Sequence, residues 1–307
     1  MPIPIFFVHK TNSSYLKYAL KQARKYNPDS AIYLLGDDDN NQYSFVTHVA
    51  ISDYSKSADE FKKVYRHMSA TNIDYELFCF LRWFYIKDFI EKNGIESFMY
   101  LDSDVLVFSN LTDALKPFER LSIANEGLAM PAFTYFGNKK ALVDLCDFMM
   151  QQYTKPHYLK RLESEWEIHK PKNWGGICDM VMFQFYFEEF PQHLGKLDEI
   201  INDSVFDQHI RISDGFEMKD DHKKIVWKNS QPYVFHLQLK KWIRFHGIHY
   251  QGHSKKMMYK HYKGGGYYSD RLKELIQEFR DKYQIRSKFK FIFKVRNYIL
   301  ILFYQIY

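Results

Sequence analysis

Between Ser97 and Phe108 the chain reads Ser-Phe-Met-Tyr-Leu-Asp-Ser-Asp-Val-Leu-Val-Phe. An apolar, aromatic and β-branched run of this kind predicts a buried strand. Asp102 and Asp104 interrupt it. Two ionised carboxylates cannot share a core without a counter-charge, because desolvation and mutual repulsion each cost several kcal/mol or more. Side chains at i and i+2 project from the same face of a strand. If the strand ends here, both carboxylates point into one crevice, where an oxygen-ligated divalent cation would relieve their repulsion. The competing reading is a strand end at which two aspartates simply meet water.

The rest of the composition supports an ordered globular chain. There are 307 residues, 46% hydrophobic, enough for one large domain or two joined halves. Net charge is 43 − 37 = +6, too small by itself to imply a nucleic-acid partner. Cys79, Cys146 and Cys178 are odd in number and lack metal-type spacing, which predicts buried free thiols in a reducing compartment. Residues 1–8 carry neither a charged region nor a long apolar core, unlike a signal peptide.

Ile3–Val8 predicts a first strand, followed by a helix capped at Thr11, Asn12 or Ser13, and Ala31–Leu35 a second strand ending at Gly36-Asp37. Strand, helix and strand with apolar strands predict a parallel sheet, whose ligands bind beyond the strands' carboxyl ends. His9, Thr11, Asn12 and Asp37 fall at those ends and are candidates to touch a ligand; Asp38 and Asp39 read as solvated loop residues. A long helix capped by Asp74 runs to Asn93-Gly94, with Leu77, Phe78, Leu81, Tyr85 and Phe89 on its apolar face. Arg82 lies inside that apolar stretch, so it either snorkels to solvent or is held by a buried anion.

Beyond Asn110 the pattern predicts a short helix at 111–115, strands at 121–124 and 131–136, and a helix from Lys139 to about Tyr153. An aromatic helix then opens at Asp179, whose place in the first turn also suits a cap or dipole role. Lys223–Lys228 and Pro232–His236 read as antiparallel strands. His249, Gly252 and Lys255 follow at three-residue spacing. A histidine offers a neutral nitrogen to a metal, a glycine lets backbone approach a ligand, and a lysine offers charge to a phosphate. A plain basic loop is the alternative.

Together these stretches resemble the GT-A glycosyltransferases, and residues 78–115 in particular resemble the family of glycogenin and the bacterial lipopolysaccharide galactosyltransferases. The resemblance rests on Arg82 in its helix, on Tyr100-Leu101-Asp102-Ser103-Asp104, and on His249-x-x-Gly252-x-x-Lys255. It implies a Rossmann-like α/β fold with a mixed sheet flanked by helices, and a metal-dependent transfer of a hexose from a nucleotide-diphosphate sugar, UDP-linked, to a glycan or glycolipid with retention. By the same resemblance Asp102, Asp104 and His249 would bind Mn²⁺ or Mg²⁺. Lys255 and the Gly252 backbone would meet the diphosphate, and Arg82, Ser103 and the residues of the first strand ends would contact the donor. Asp179 would face the sugar as the catalytic carboxylate. The chain departs from the family where Met180-Val181 replaces its Gln, and where Lys256 follows Lys255.

The chain divides into a donor half at 1–125, a site-completing and acceptor half at 126–270 that shares its core, and a C-terminal helix with a membrane-associating tail at 271–307. The tail is basic and aromatic: Arg286–Arg296 interleaves five cations with apolar residues, and 297–307 carry no charge. It is too short to span a bilayer and suits an anionic cytoplasmic leaflet, implying a peripheral enzyme on the inner face of the membrane. Two other functions compete with the transferase, an aspartyl-phosphate phosphatase and a non-catalytic sugar-binding protein. The first usually carries Asp-x-Asp on its first strand and leaves His249–Lys255 idle, and the intact Asp102, Asp104 and His249 argue against the second.

Overall fold

The structure is a computed structural model that describes residues 1–119, 123–125 and 130–263. Residues 1–263 form one compact unit. The basic-aromatic tail lies outside the described residues. Among the described residues no helix is long and apolar enough to cross a membrane.

The chain opens with β1 (Ile5–Val8), α1 (Leu16–Tyr26), β2 (Ile32–Gly36), β3 (Thr47–Ala50), α2 (Lys56–Val64) and α3 (Ile73–Asn93). There follow β4 (Phe98–Leu101), β5 (Val105–Val107), α4 (Leu111–Ala114), β6 (Ile123–Asn125), β7 (Phe133–Phe136), α5 (Lys139–Thr154), α6 (Pro156–His169) and α7 (Asp179–Glu189). The remainder is β8 (Leu194–Lys196), β9 (Ser204–Asp207), β10 (Met218–Lys219), β11 (His222–Lys223), β12 (Val226–Lys228), β13 (Gln231–His236), β14 (Lys241–His249) and α8 (Met258–His261).

Seven strands form the main sheet in the order β3-β2-β1-β4-β7-β6-β8. The first four run parallel, as the strand–helix–strand opening predicts, and β7 pairs antiparallel with both β4 and β6. The result is the expected mixed α/β sheet. A second sheet, β12-β13-β14-β5, carries β9 parallel to β14. The chain passes from the first sheet to the second directly between β4 and β5, with only residues 102–104 between them.

That junction corrects the expected geometry of the carboxylate pair. Asp102 and Asp104 do not alternate along one strand; they occupy the turn where the chain leaves one sheet for the other. Val105 N–H closes the turn on Asp102 C=O at 3.2 Å. Asp102 N–H is held by Ala132 C=O and Asp104 C=O by Tyr250 N–H, each at 2.9 Å. Backbone from both sheets therefore fixes the two carboxylates.

Helix α3 is capped two residues earlier than the sequence suggests. Asn72, not Asp74, is the cap, accepting from the N–H groups of Asp74 and Tyr75 at 3.0 and 3.2 Å. Asp74 and Glu76 instead complement the helix dipole in the first turn. The helix is buried almost all round, with Phe80, Trp83, Phe84, Ile86 and Ile90 inside as well as the predicted stripe. At about 1.5–3 kcal/mol for each fully buried large apolar side chain, this helix is the spine of the core. Helix α1 begins at Leu16 after Tyr15, without the predicted side-chain cap. Helix α6 and strand β9 are absent from the sequence reading. Residues 241–249 form a strand, and Gly252–Met257 a 3₁₀ turn, where a basic loop was the alternative.

Candidate active site

Three side chains with metal-binding atoms converge at the sheet junction. Asp102 and Asp104 come from the β4–β5 turn, and His249 from the end of β14, which pairs antiparallel with β5 so that His249 sits opposite Val105. Their potential ligand atoms all lie within 4.8 Å of one another. Glycine at residue 247 lets β14 pack closely on β7 of the other sheet: a Cβ there would stand 2.6 Å from the Phe133 ring.

Each member of the cluster is held. His249 Nδ1–H donates to Gln208 C=O at 2.8 Å, which turns Nε2 to Asp104 Oδ1 at 3.5 Å: protonated, Nε2 pairs with that carboxylate, and deprotonated it offers a lone pair to a metal. Lys255 Nζ meets Asp104 Oδ2 at 2.6 Å. Burial alone would push the Asp104 carboxyl up, but His249 and Lys255 outweigh it and hold the group well below the usual carboxylate range. Asp102 Oδ1 accepts from Arg82 Nη1 at 2.6 Å and from the Tyr100 hydroxyl. Two carboxylates and one neutral imidazole nitrogen fit Mn²⁺ or Mg²⁺, whose preferred partners are oxygen donors completed by substrate phosphates and water.

Arg82 is the second centre of the site. It is 8% exposed on a helix otherwise packed with aromatics, so the buried-anion reading holds. Its Nε and Nη2 both donate to Asp179 Oδ2, its Nη1 to Tyr100 and Asp102. Burial opposes its charge, and Asp179, Tyr100 and Asp102 outweigh that and keep it protonated. Trp83 Nε1 adds a 3.0 Å bond to the same Asp179 oxygen. The cap role for Asp179 is not observed: Cys178 precedes α7 and Asp179 accepts from side chains of α3.

These groups line a crevice of about 400 Å³ that also takes in Glu76, Cys79, Trp174, Cys178 and Gln251. Burial pushes the Cys178 thiol up to about 12 and raises Cys79 as well, so neither supplies a thiolate. The sequence reading placed all three thiols in the core; only Cys146 is there, and the other two are half-buried in the crevice wall. Lys255 and Gln251 face the crevice across Gly252, whose φ of +62° is the left-handed region that favours glycine. A Cβ on Gly252 would meet nothing within 4 Å, so the turn and not a crowded approach explains the residue.

The first-strand residues form an adjoining group outside this lining. His9 reaches the site through Ser103, whose Oγ lies 2.9 Å from His9 Nδ1, while its Nε2 meets Ser13. Burial lowers the His9 pKa, so the ring is neutral. Thr11 adopts φ +64°, costly for a β-branched residue, with its N–H on Asp37 Oδ2 at 2.8 Å. Asn12 accepts from the Tyr43 hydroxyl, and Asp37 Oδ1 is buried without a hydrogen-bond partner. Asp38 and Asp39 are exposed, as expected.

Sequence reasoning missed Glu76, Trp174 and Gln251. Glu76 is 4% exposed, and burial raises its carboxyl to about 6, with Asp179 pushing the same way and hydrogen bonds from Ser69 and Thr71 pulling against. A glutamate in the first turn of a helix reads as a surface dipole partner, and nothing local distinguishes it.

No family model matches the chain, and neither does any curated protein. Solved glycosyltransferase structures are similar to parts of it. Mouse xyloside xylosyltransferase 1 is 12% identical, overlapping 66% of this chain and 87% of that one at a TM-score of 0.47. The bifunctional glycosyltransferase WbbM is 12% identical over 88% and 51%, also at 0.47. GlyE of Streptococcus pneumoniae TIGR4 is 17% identical, over 64% of this chain and 45% of its own length, at 0.36. These partial overlaps assign no role to any residue here.

Proposed function

We propose that this protein is a metal-dependent glycosyltransferase that moves a hexose from a nucleotide-diphosphate sugar, UDP-linked, to a glycan or glycolipid acceptor. The observation that carries the reading is the meeting of Asp102, Asp104 and His249 at the sheet junction, with Lys255 on Asp104 and Arg82 bridging Asp102 to Asp179. Transfer from a nucleotide diphosphate leaves charge on the departing phosphates, and Mn²⁺ or Mg²⁺ held by Asp102, Asp104 and His249 would offset it.

The remaining steps belong to the chain's own residues. Lys255, which pairs with Asp104 and lines the crevice, would offer its ammonium to the diphosphate. Gln208 keeps the His249 lone pair on Nε2. Arg82 and Trp83 fix the Asp179 carboxylate, which lines the crevice and is the group we assign to the sugar. Retention is the stereochemical outcome this reading takes. Ser103 and His9, with Thr11, Asn12 and Asp37 beyond them, are assigned to the donor's nucleoside side.

The phosphatase reading gives no role to His249 and Lys255, which both meet Asp104. The discriminating experiment is thermal stabilisation by UDP and a panel of UDP-sugars with and without Mn²⁺, followed by analysis of product configuration. Metal-dependent stabilisation by the donor supports the transferase. Release of phosphate from a generic phosphomonoester, without nucleotide binding, refutes it. The composition of 286–296 supports a glycolipid acceptor on an anionic cytoplasmic leaflet, and deleting 286–307 should then release the protein from anionic vesicles.

A further inference from the structure

The crevice continues past Asp179 toward the start of α3, and its chemistry changes there. The cations Lys255 and Arg82 stand at the metal-binding end. From Arg82 back to Glu76 the helix rises about 9 Å. Glu76 forms the buried floor at that distance, with Ser69 Oγ donating to its Oε2 at 2.9 Å. Trp174 and Tyr75 stand on the rim, 75% and 64% exposed.

Trp174 is not on a loose loop. Ala70 N–H donates to Gly175 C=O at 3.0 Å and Ile177 N–H to Met68 C=O at 2.7 Å. Gly176, at φ +130°, lies so close to the 68–69 backbone that a Cβ would stand 2.5 Å from Met68 C=O. The segment that carries Trp174 is therefore clamped against the segment that leads into α3. Among the described residues no ring packs on the indole. A large aromatic face held rigid and left in water is a platform with low ordering cost for a ligand that covers it.

We propose that Trp174, Tyr75 and Glu76 form a subsite for a pyranose ring of the acceptor, the aromatic faces covering its C–H surface and Glu76 accepting from a hydroxyl. Charge separates this occupant from the donor. A diphosphate belongs at the Lys255 and Arg82 end, and an acidic floor repels it, whereas an uncharged polyol meets a carboxylate acceptor without penalty. The proposal rests on the transferase reading and names the class of its second substrate: a neutral glycan or glycoside.

The test uses the full chain with Mn²⁺, a UDP-sugar that stabilises it, and a panel of neutral octyl glycosides, on W174A, Y75A and E76Q. W174A and E76Q should each raise the acceptor KM about tenfold or more and leave the donor KM within twofold. Acceptor KM values unchanged in all three variants overturn the subsite. If the wild-type protein binds no UDP in the presence of Mn²⁺, the transferase reading fails by itself. The subsite is then decided by tryptophan emission on titration with the same glycosides: saturable quenching lost in W174F supports it, and identical titrations of both proteins overturn it.

Discussion

Arg82 Nη1 donates to Asp102 Oδ1 at 2.6 Å, so a side chain from the middle of a core helix grips the turn at which the chain passes between two sheets. The same guanidinium holds Asp179 at the start of α7. One buried cation thus sets the mutual positions of the 102–104 turn and the Asp179 carboxylate.

Removing that cation leaves the buried Asp179 and the half-buried Asp102 without their counter-charge. Arg82→Met should destabilise the protein by about 3–5 kcal/mol, the cost of breaking a buried pair from one side. Urea denaturation measures it. Arg82→Met combined with Asp179→Leu should recover a large part of the loss, since both ends of the buried pair are then apolar. A double variant no more stable than Arg82→Met would show that Arg82 acts through packing and not through charge.

The metal assignment makes a second, separable prediction. Asp102→Asn and Asp104→Asn should each abolish Mn²⁺-dependent stabilisation by UDP while keeping a cooperative unfolding transition. His249→Ala should raise the metal concentration for half-maximal effect about tenfold, because two of three protein ligands remain. Metal titrations that superimpose on wild type would return His249 to a structural role.

Much of this was legible from sequence, and the reasons differ by element. The parallel opening sheet, Arg82 among aromatics and Asp102-x-Asp104 were visible because each sets charge against a strongly apolar pattern. The turn at 102–104 was not, since Phe98–Leu101 and Val105–Val107 are equally apolar and only their pairing with different partners divides them. The cap at Asn72 rather than Asp74 is a two-residue ambiguity between adjacent good capping residues. Strand β9 pairs with β14 some forty residues away, and that partner has no local signature. Glu76 and Trp174 escaped notice because their meaning lies in where the 68–71 and 173–178 segments touch.

Glu76 also makes stability depend on pH. Burial raises its folded pKa from the ordinary 4.5 to about 6. The folded state then holds the proton more tightly than the unfolded state does. Stability contributed by the protonated group is full below about 4.5 and falls as pH rises through about 6, by about 2 kcal/mol in total. Glu76→Gln cannot titrate, so the difference in unfolding free energy between wild type and this variant should change by that amount from pH 4 to pH 7.5. A difference that stays constant across the range would remove Glu76 from the titrating groups.

The last prediction follows the close approach that brings His249 to the aspartates. Gly247 and His249 lie two apart on β14 and share a face of the strand. Gly247 pairs with Val107 of β5, and a Cβ on it would stand 2.6 Å from two atoms of the Phe133 ring, inside any real contact distance. Phe133 is fully buried on β7, beside the strand that leads into Asp102, so it has little room to yield. Gly247→Val should therefore cost about 1–3 kcal/mol by overpacking. The strain should also move β14 relative to β5 and lengthen the approach of His249 to Asp104. Two measurements separate these effects: the urea midpoint reports the packing, and the Mn²⁺ titration of UDP-dependent stabilisation reports the ligand geometry. Both should shift together. A lowered midpoint with an unaltered metal titration would mean that the Gln208 bond alone positions His249, and that the tight contact of Gly247 with Phe133 serves only the core.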